Sequence, residues 1–196
     1  MAQTAVQDRE YQGVSIPPVG RYELDATHTV VGFVARHMLS KVRGQFTEFT
    51  GTIEMGDSPE DSSVAVEVKT ESITTHTGKR DEHLRSGDFL EIEKHPRLTF
   101  TSTAVRPTGG MSFELDGDLT IKDITRPVTL SGEFLGWGPD MEGKPMLAAS
   151  AKTTIDREDW GMTWNVAVEA GGFLVGKKVD LEIELEAHRV GQALGS

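Results

Sequence analysis

The chain has 196 residues, a formal net charge of −11 at pH 7 and no cysteine. Its length suits one domain of roughly 100 to 200 residues. The acidic balance argues against binding to nucleic acid or to an anionic membrane surface, because both require a basic face. Without cysteine there is no thiol nucleophile, zinc thiolate site or disulfide framework, which is compatible with a reducing cytoplasm.

The two ends of the chain lack the pattern of a folded element. Residues 1–20 are polar, contain Pro17-Pro18 and show no apolar period, so we expect a flexible arm there and a second flexible tail over residues 189–196. The first residues lack a secretory signal, and no run of about 18 apolar residues predicts a transmembrane segment. We therefore expect a cytoplasmic protein with one domain over residues 21–188.

Alternation of apolar and polar residues dominates residues 21–188 and predicts about eight strands. In chain order the alternating segments are residues 21–38, 43–55, 64–68, 98–100, 111–121, 128–134, 147–155 and 178–188. The last of these, "KVDLEIELEAH", is the clearest strand. The predicted fold class is therefore all-β. Antiparallel strands with one apolar face form a sandwich or an up-and-down barrel, and eight strands close a barrel that can hold one small ligand.

One strand changes its alternation. Phe46 has even parity, whereas Phe49 and Ile53 have odd parity. A strand that keeps both sets on the inner face must gain or lose one residue between them. We predict a β-bulge near Thr47 and Glu48.

The stretch "THTGKRDEHLRSGDF" is the best helical candidate, with Thr74 or Thr75 as N-cap and an end at Gly87. Its charged residues predict ion pairs on a solvated helix face. The apolar residues Leu84, Phe89 and Leu90 bracket this charge cluster. We therefore expect one or two short helices that cover an open end of the barrel.

The histidines do not predict a metal site or a cofactor. His76 and His83 would lie about 10 Å apart on a helix, too far to share one metal ion. His28 and His37 have opposite parity in one strand and so face opposite sides. We expect solvated or hydrogen-bonded histidines. Nucleophile-elbow and glycine-rich phosphate motifs are also absent from the sequence, so no catalytic residue is assigned.

Small residues interrupt the apolar faces and leave two interpretations open. They include Gly32, Ala35, Ser102, Gly117, Gly132, Gly136, Ala149, Ala151 and Thr153. Small and large residues alternate in a filled barrel, so these positions could simply pack. Alternatively they leave a cavity walled by aromatic residues, which suits an apolar ligand.

Six segments of sequence carry a specific resemblance. They are "YELDATHTVVGFVARHM", "VRGQFTEFTGTI", "ITTHTGKRDEHLRSGDFLEIEKHPRLTFTS", "LDGDLTIKDITRPVTL", "IDREDWGMTWN" and "VGKKVDLEIELEA". Together they resemble the YceI family of polyisoprenoid-binding, lipocalin-like proteins over about residues 20–188. The resemblance implies an eight-stranded antiparallel lipocalin-like barrel that encloses the tail of an isoprenoid quinone, polyprenyl phosphate or similar long amphiphile, often in a homodimer. Thr29, His95 and Lys177 depart from the family pattern.

We therefore expect a non-enzymatic protein that binds a long-chain isoprenoid or acyl amphiphile for transport, storage or sequestration. The expected ligand-binding residues are Val31, Phe33, Ala35, His37, Phe46, Phe49, Leu84, Phe89, Phe100, Phe113, Leu119, Phe134, Trp160, Trp164 and Phe173. Among them, His37 is placed at the strand end, where it would touch the headgroup. One alternative is an enzyme that acts on a small amphiphile with His37 or His83 as base. Another is an interaction module whose acidic face meets a partner.

Overall fold

The computed structural model describes residues 9–167 and 174–191. These ranges contain thirteen strands, one α-helix and short 3₁₀ turns. The strands are β1 (Arg9–Tyr11), β2 (Val14–Ile16), β3 (Gly20–Leu24), β4 (Val30–His37), β5 (Ser40–Phe46), β6 (Phe49–Met55), β7 (Ser63–Lys69), β8 (Ile73–Thr74), β9 (Arg97–Gly109), β10 (Ser112–Ile121), β11 (Ile124–Pro139), β12 (Pro145–Asp156) and β13 (Val175–Arg189). The helix α1 spans Gly78–Arg85. None of the described helices has the length and hydropathy needed to cross a bilayer.

The strands form a closed antiparallel barrel of eight strand positions, which confirms the predicted fold class. β3 and β4 together occupy one position, and β5 and β6 occupy the next. The sheet continues through β7, β9, β10, β11 and β12 to β13. β13 then closes the barrel, because it pairs with β12 on one side and with β3 and β4 on the other. Closure leaves no open edge between these strands.

A turn at residues 25–29 separates β3 from β4 without detaching them from β13. The Asp25 Oδ1 atom accepts a hydrogen bond of 2.7 Å from the Thr27 backbone N–H, which forms a local turn. The Thr29 hydroxyl donates to the Glu186 carbonyl at 3.2 Å and accepts from the Glu186 N–H at 3.2 Å. A side chain therefore replaces the backbone ladder at this point.

The β-bulge predicted near Thr47 and Glu48 is instead a break between two strands, because β5 ends at Phe46 and β6 begins at Phe49. The Thr47 N–H leaves the barrel ladder and donates to the Ser72 carbonyl at 3.3 Å. The Glu48 carbonyl accepts from the Lys69 N–H at 2.9 Å. The change of parity therefore occurs where the backbone groups find partners outside the regular register.

The hairpin of β1 and β2 docks at the barrel end that contains Gly20. Its side chains Ile16 and Pro17 are buried. The Arg9 guanidinium donates to the Pro17 carbonyl at 2.6 Å and to the Gly56 carbonyl at 2.9 Å. We call this the hairpin end of the barrel.

The expectation of a flexible N-terminal arm over residues 1–20 is wrong for residues 9–20, which form β1, β2 and the start of β3. Two alternating apolar residues are too short a pattern to predict a strand, and the contacts of Arg9 depend on residues far along the chain. Similarly, the expected C-terminal tail over 189–196 is wrong at its first residue, since Arg189 belongs to β13 and donates to the Val19 carbonyl at 2.7 Å. Residues 1–8 and 192–196 lie outside the described ranges.

The opposite end of the barrel carries residues 77–95, which we call the lid. The predicted helix is present but begins at Gly78, after Thr77, rather than after Thr74 or Thr75. Thr74 instead pairs with Gln45 in β5, and His76 has a left-handed φ of 58°. The residues predicted to begin the helix therefore pair in the sheet instead, and the helix begins later.

The expectation of ion pairs on a solvated helix face is wrong for the central residues of the lid. Asp81 is 6% exposed and accepts a 2.8 Å hydrogen bond from the Thr75 N–H. Burial raises the pKa of Asp81, but the hydrogen bonds from Thr75 and Thr74 lower it by more. The pKa of Asp81 therefore lies below its ordinary value. The Arg85 guanidinium donates to the carbonyls of Glu71 and Ile73, each at 2.8 Å. These charges fasten the lid to the barrel through backbone groups.

Candidate ligand-binding cavity

An apolar cavity of about 230 Å³ occupies the lid half of the barrel. Its wall is apolar except for the side chains of Thr153 and Arg157. Apolar cavities of roughly 150 Å³ stay dry and bind hydrocarbons, because a water inside them would lose its hydrogen bonds. This cavity can therefore accept an apolar chain.

A second cavity of about 160 Å³ occupies the hairpin half. Side chains of the hairpin, including Ile16 and Pro17, close its far side. The two cavities share four lining residues, which are Val64, Leu115, Ala151 and Leu185. These residues lie between the two cavities, which therefore adjoin one another inside the barrel, one toward the lid and one toward the hairpin.

The structure places ten of the expected ligand-binding residues on the cavity walls. Val31, Phe33, Ala35, Phe46, Leu84, Phe89, Phe100 and Leu119 line the lid half, and Phe113 and Phe134 line the hairpin half. Leu84 and Phe89 come from the lid, together with Leu90. The apolar residues of the lid therefore face the interior, as the sequence predicts.

The other expected residues do not line either cavity. Trp160 is 2% exposed and donates its indole N–H to the Leu119 carbonyl at 3.2 Å, so it packs behind the wall. His37 lies at the end of β4, opposite Val175, beyond the part of the strand that faces the cavity. Phe49 and Trp164 are also absent from both walls. Phe173 lies outside the described residues.

Three glycines of the inner face are covered by phenylalanine rings and do not open space. An added Cβ would lie 2.3 Å from a ring carbon at each site: Phe33 at Gly44, Phe100 at Gly117 and Phe113 at Gly132. An aromatic ring over a strand glycine fills the place of the missing side chain. The sequence interpretation that Gly117 and Gly132 leave room is therefore wrong. The small residues that do border the cavity include Ala149 and Ala151.

An aromatic cluster connects the lid to the loop after β12. The Trp164 ring meets the His83 ring edge-on at 4.4 Å and lies 5.5 Å from the Phe89 ring. The His83 Nε2 atom lies 2.8 Å from an Asp88 carboxylate oxygen. His83 therefore holds the outer side of the lid, while Phe89 presents its ring to the cavity.

Arg157 is a polar wall residue that the sequence analysis missed. It begins the 3₁₀ turn Arg157–Trp160 after β12 and is 3% exposed. Its Nε donates to the Gly176 carbonyl at 3.0 Å, and its Nη1 donates to the Met162 carbonyl. Its Nη2 has no hydrogen-bond partner among the described residues. A signal was present, because Arg157 has the same parity as the inward residues Ala151 and Ile155.

A second polar group lies on the outside of the barrel. Asp25, His28 and Glu186 bring possible metal-ligand atoms within 4.8 Å of one another, and His188 Nε2 lies 3.4 Å from an Asp25 carboxylate oxygen. The 2.7 Å hydrogen bond from His28 lowers the pKa of Asp25 to about 2, and the same bond raises the pKa of His28. His28 is therefore hydrogen-bonded, as expected, and ion pairing accounts for this group. Sequence alone could not join His28 to residues so distant in the chain.

Comparison with known proteins identifies related sequences. Residues 22–187 match the family described as YceI-like domain. A UPF0312 protein of Pseudomonas fluorescens (strain SBW25) is 35% identical over 169 residues, covering 84% of each chain. A UPF0312 protein of Pectobacterium carotovorum subsp. carotovorum (strain PC1) is 30% identical over 188 residues, covering 95% of this chain and 94% of the relative.

Solved structures share the same barrel. A Campylobacter jejuni YCEI protein superposes with a TM-score of 0.70 at 26% identity, covering 80% of this chain and 90% of its own. Burkholderia cenocepacia BcnA gives a TM-score of 0.72 at 19% identity, with coverages of 83% and 98%. A polyisoprenoid binding domain from Saccharophagus degradans gives 0.62 at 15% identity, with coverages of 87% and 99%. The last two likenesses concern the fold alone.

Proposed function

Because this chain belongs to the family of YceI-like domains, we propose that it binds the tail of a long-chain isoprenoid amphiphile, of the isoprenoid quinone or polyprenyl phosphate type, inside the barrel. In this proposal it carries, stores or sequesters the amphiphile and does not transform it. The observation that supports the proposal most directly is the apolar interior, whose two halves share Val64, Leu115, Ala151 and Leu185. A neighbour of the same fold is a polyisoprenoid binding domain, which motivates the choice of an isoprenoid tail.

The driving force would be transfer of the tail from water to the hydrocarbon wall. Ligands of this size gain about 0.3 kcal/mol per heavy atom, so each isoprene unit of five carbons contributes about 1.5 kcal/mol. That corresponds to roughly tenfold in affinity. Affinity should therefore rise by about tenfold per isoprene unit until the interior is full.

The first test is extraction of the purified protein into organic solvent, followed by mass spectrometry. A long-chain isoprenoid in the extract supports the proposal. The second test titrates delipidated protein with geraniol, farnesol and geranylgeraniol and measures each dissociation constant by calorimetry. Linear alcohols of matched carbon number are the control for an isoprenoid preference. If affinity does not depend on tail length, the interior does not hold the tail and the proposed function is wrong.

A further inference from the structure

The lid half of the cavity contains a buried cation, Arg157, that forms no salt bridge with a described carboxylate. Glu158 and Asp156 act on its guanidinium only at longer range, because their carboxylates pair with Lys177 Nζ at 2.7 Å and with Lys178 Nζ at 3.5 Å. Burying a charge without an opposite charge in contact is unfavourable. Arginine keeps its proton under these conditions, because its pKa is so high. The guanidinium therefore remains a buried cation at the edge of an apolar space.

The hydrogen-bonding capacity of this guanidinium is also incomplete. The Nε and Nη1 atoms are held by the carbonyls of Gly176 and Met162. These two bonds fix the orientation of the planar group, so the direction of the unpartnered Nη2 donor is set in advance. A fixed guanidinium fork is a geometry that matches the oxygens of a phosphate or a carboxylate.

The electron-rich neighbour of Arg157 in this structure is the ring of Phe89, whose centroid lies 5.8 Å from Cζ. A cation above an aromatic ring is stabilised only modestly. Phe89 belongs to the lid, lines the cavity and contacts Trp164. Because Nη2 itself has no accessible surface, an incoming acidic group must displace a neighbouring side chain, and Phe89 is placed to be that side chain.

We infer that the Arg157 guanidinium binds an acidic headgroup, phosphate or carboxylate, of the amphiphile whose tail fills the barrel. The inference rests on the proposed function and deepens it, because it selects an acidic amphiphile over a neutral one. It also orients the ligand. The headgroup lies at the lid end beside Arg157, and the tail extends past Ala151 toward the hairpin end.

The test compares ligands that share one tail. Delipidated protein is titrated with geranylgeraniol, geranylgeranyl phosphate and geranylgeranoic acid at fixed salt and neutral pH. In the wild type, at least one of the two acids should bind at least tenfold more tightly than the alcohol, which corresponds to about 1.4 kcal/mol. The two acids distinguish a phosphate from a carboxylate headgroup.

Three variants separate recognition from structural support. Arg157→Met keeps most of the side-chain volume. It should abolish the preference, so that the acids and the alcohol bind with about equal affinity, while the alcohol still binds. Arg157→Lys keeps the charge but loses the fork, so it should retain only part of the preference. Arg9→Met is the matched control, because Arg9 also donates to backbone carbonyls but lies at the hairpin end and lines neither cavity. It should keep the full preference.

The outcomes are distinct. If wild type binds all three ligands equally, or if Arg157→Met keeps the preference, the inference about Arg157 is wrong while the proposed function stands. If the affinities of alcohol and acids fall together in Arg157→Met, the residue is structural and the inference is again wrong. If wild type binds none of them, the proposed function itself fails. Should Arg157→Met not fold, an unchanged preference in Arg157→Lys would overturn the inference.

Discussion

Ala151 is the position where filling the interior should have the clearest effect. It is 9% exposed, lies on β12 and borders both halves of the cavity. Ala151→Leu adds three carbon atoms at the junction of the two halves. If that space is open, burial at about 0.8 kcal/mol per carbon should stabilise the delipidated protein by about 2 kcal/mol. For a domain of this size the melting temperature should rise by about 4 to 8 °C.

The same substitution should weaken long ligands more than short ones, because only a long tail passes the junction. We expect at least a tenfold loss for geranylgeraniol and little change for geraniol, measured by calorimetry. Ala148→Leu is the matched control, since Ala148 lies three residues before Ala151 on the same strand, has the opposite parity and borders neither cavity. If the interior is close-packed at Ala151, overpacking should cost about 1 to 3 kcal/mol. A lower melting temperature in Ala151→Leu, with Ala148→Leu unchanged, would refute the open junction.

Three further predictions concern the scaffold. Gly132→Ala should lower the melting temperature, because the new methyl would lie 2.3 Å from the Phe113 ring, and adding Phe113→Leu should restore most of the loss. Ile16→Ala should reduce the free energy of unfolding in guanidinium by about 2 to 5 kcal/mol, whereas an undocked hairpin predicts no change. The pKa of Asp25 is lowered from 3.8 to about 2, and the pKa of His28 is raised above 6.5. Their pairing therefore stabilises the fold between these two pKa values. This stabilisation is lost as pH falls through about 2 or rises through the raised pKa of His28. The melting-temperature difference between wild type and His28→Ala should therefore be larger at about pH 5.5 than at about pH 8.5, and equal differences would contradict the pairing.

The barrel was predictable from the sequence because the alternation of apolar and polar residues within each strand shows which face is buried. The alternation in residues 178–188 and the change of parity after Phe46 both correspond to observed strands and to an observed interruption. The start of α1 was not predictable, because Thr74 is taken by pairing with Gln45 across the sheet. Such a strand pairing depends on residues far apart in the chain, so the helix propensity of the local sequence cannot predict it.

The glycines show why the cavity wall was predicted only in part. Parity correctly places Gly132 on the inner face, but the space beside it depends on where the Phe113 ring of the next strand lies. A glycine opposite a phenylalanine is filled, whereas Ala151 opposite Gly132 borders open space. Cross-strand partners therefore decide which small residues leave room.

The hydrogen bonding of the charged residues distinguishes the scaffold of this protein from its candidate site better than the number of charges does. The lid holds a dense cluster of charged residues, yet Asp81 and Arg85 hydrogen-bond to backbone groups and neighbouring hydroxyls of the protein. Removing either should loosen the lid, and neither lines the cavity. Arg157, by contrast, is a cation at a position with the parity of the inward-facing residues. Its Nη2 donor has no hydrogen-bond partner among the described residues. A buried donor without a partner destabilises the isolated protein, and an acidic headgroup bound beside Arg157 would supply the missing acceptor.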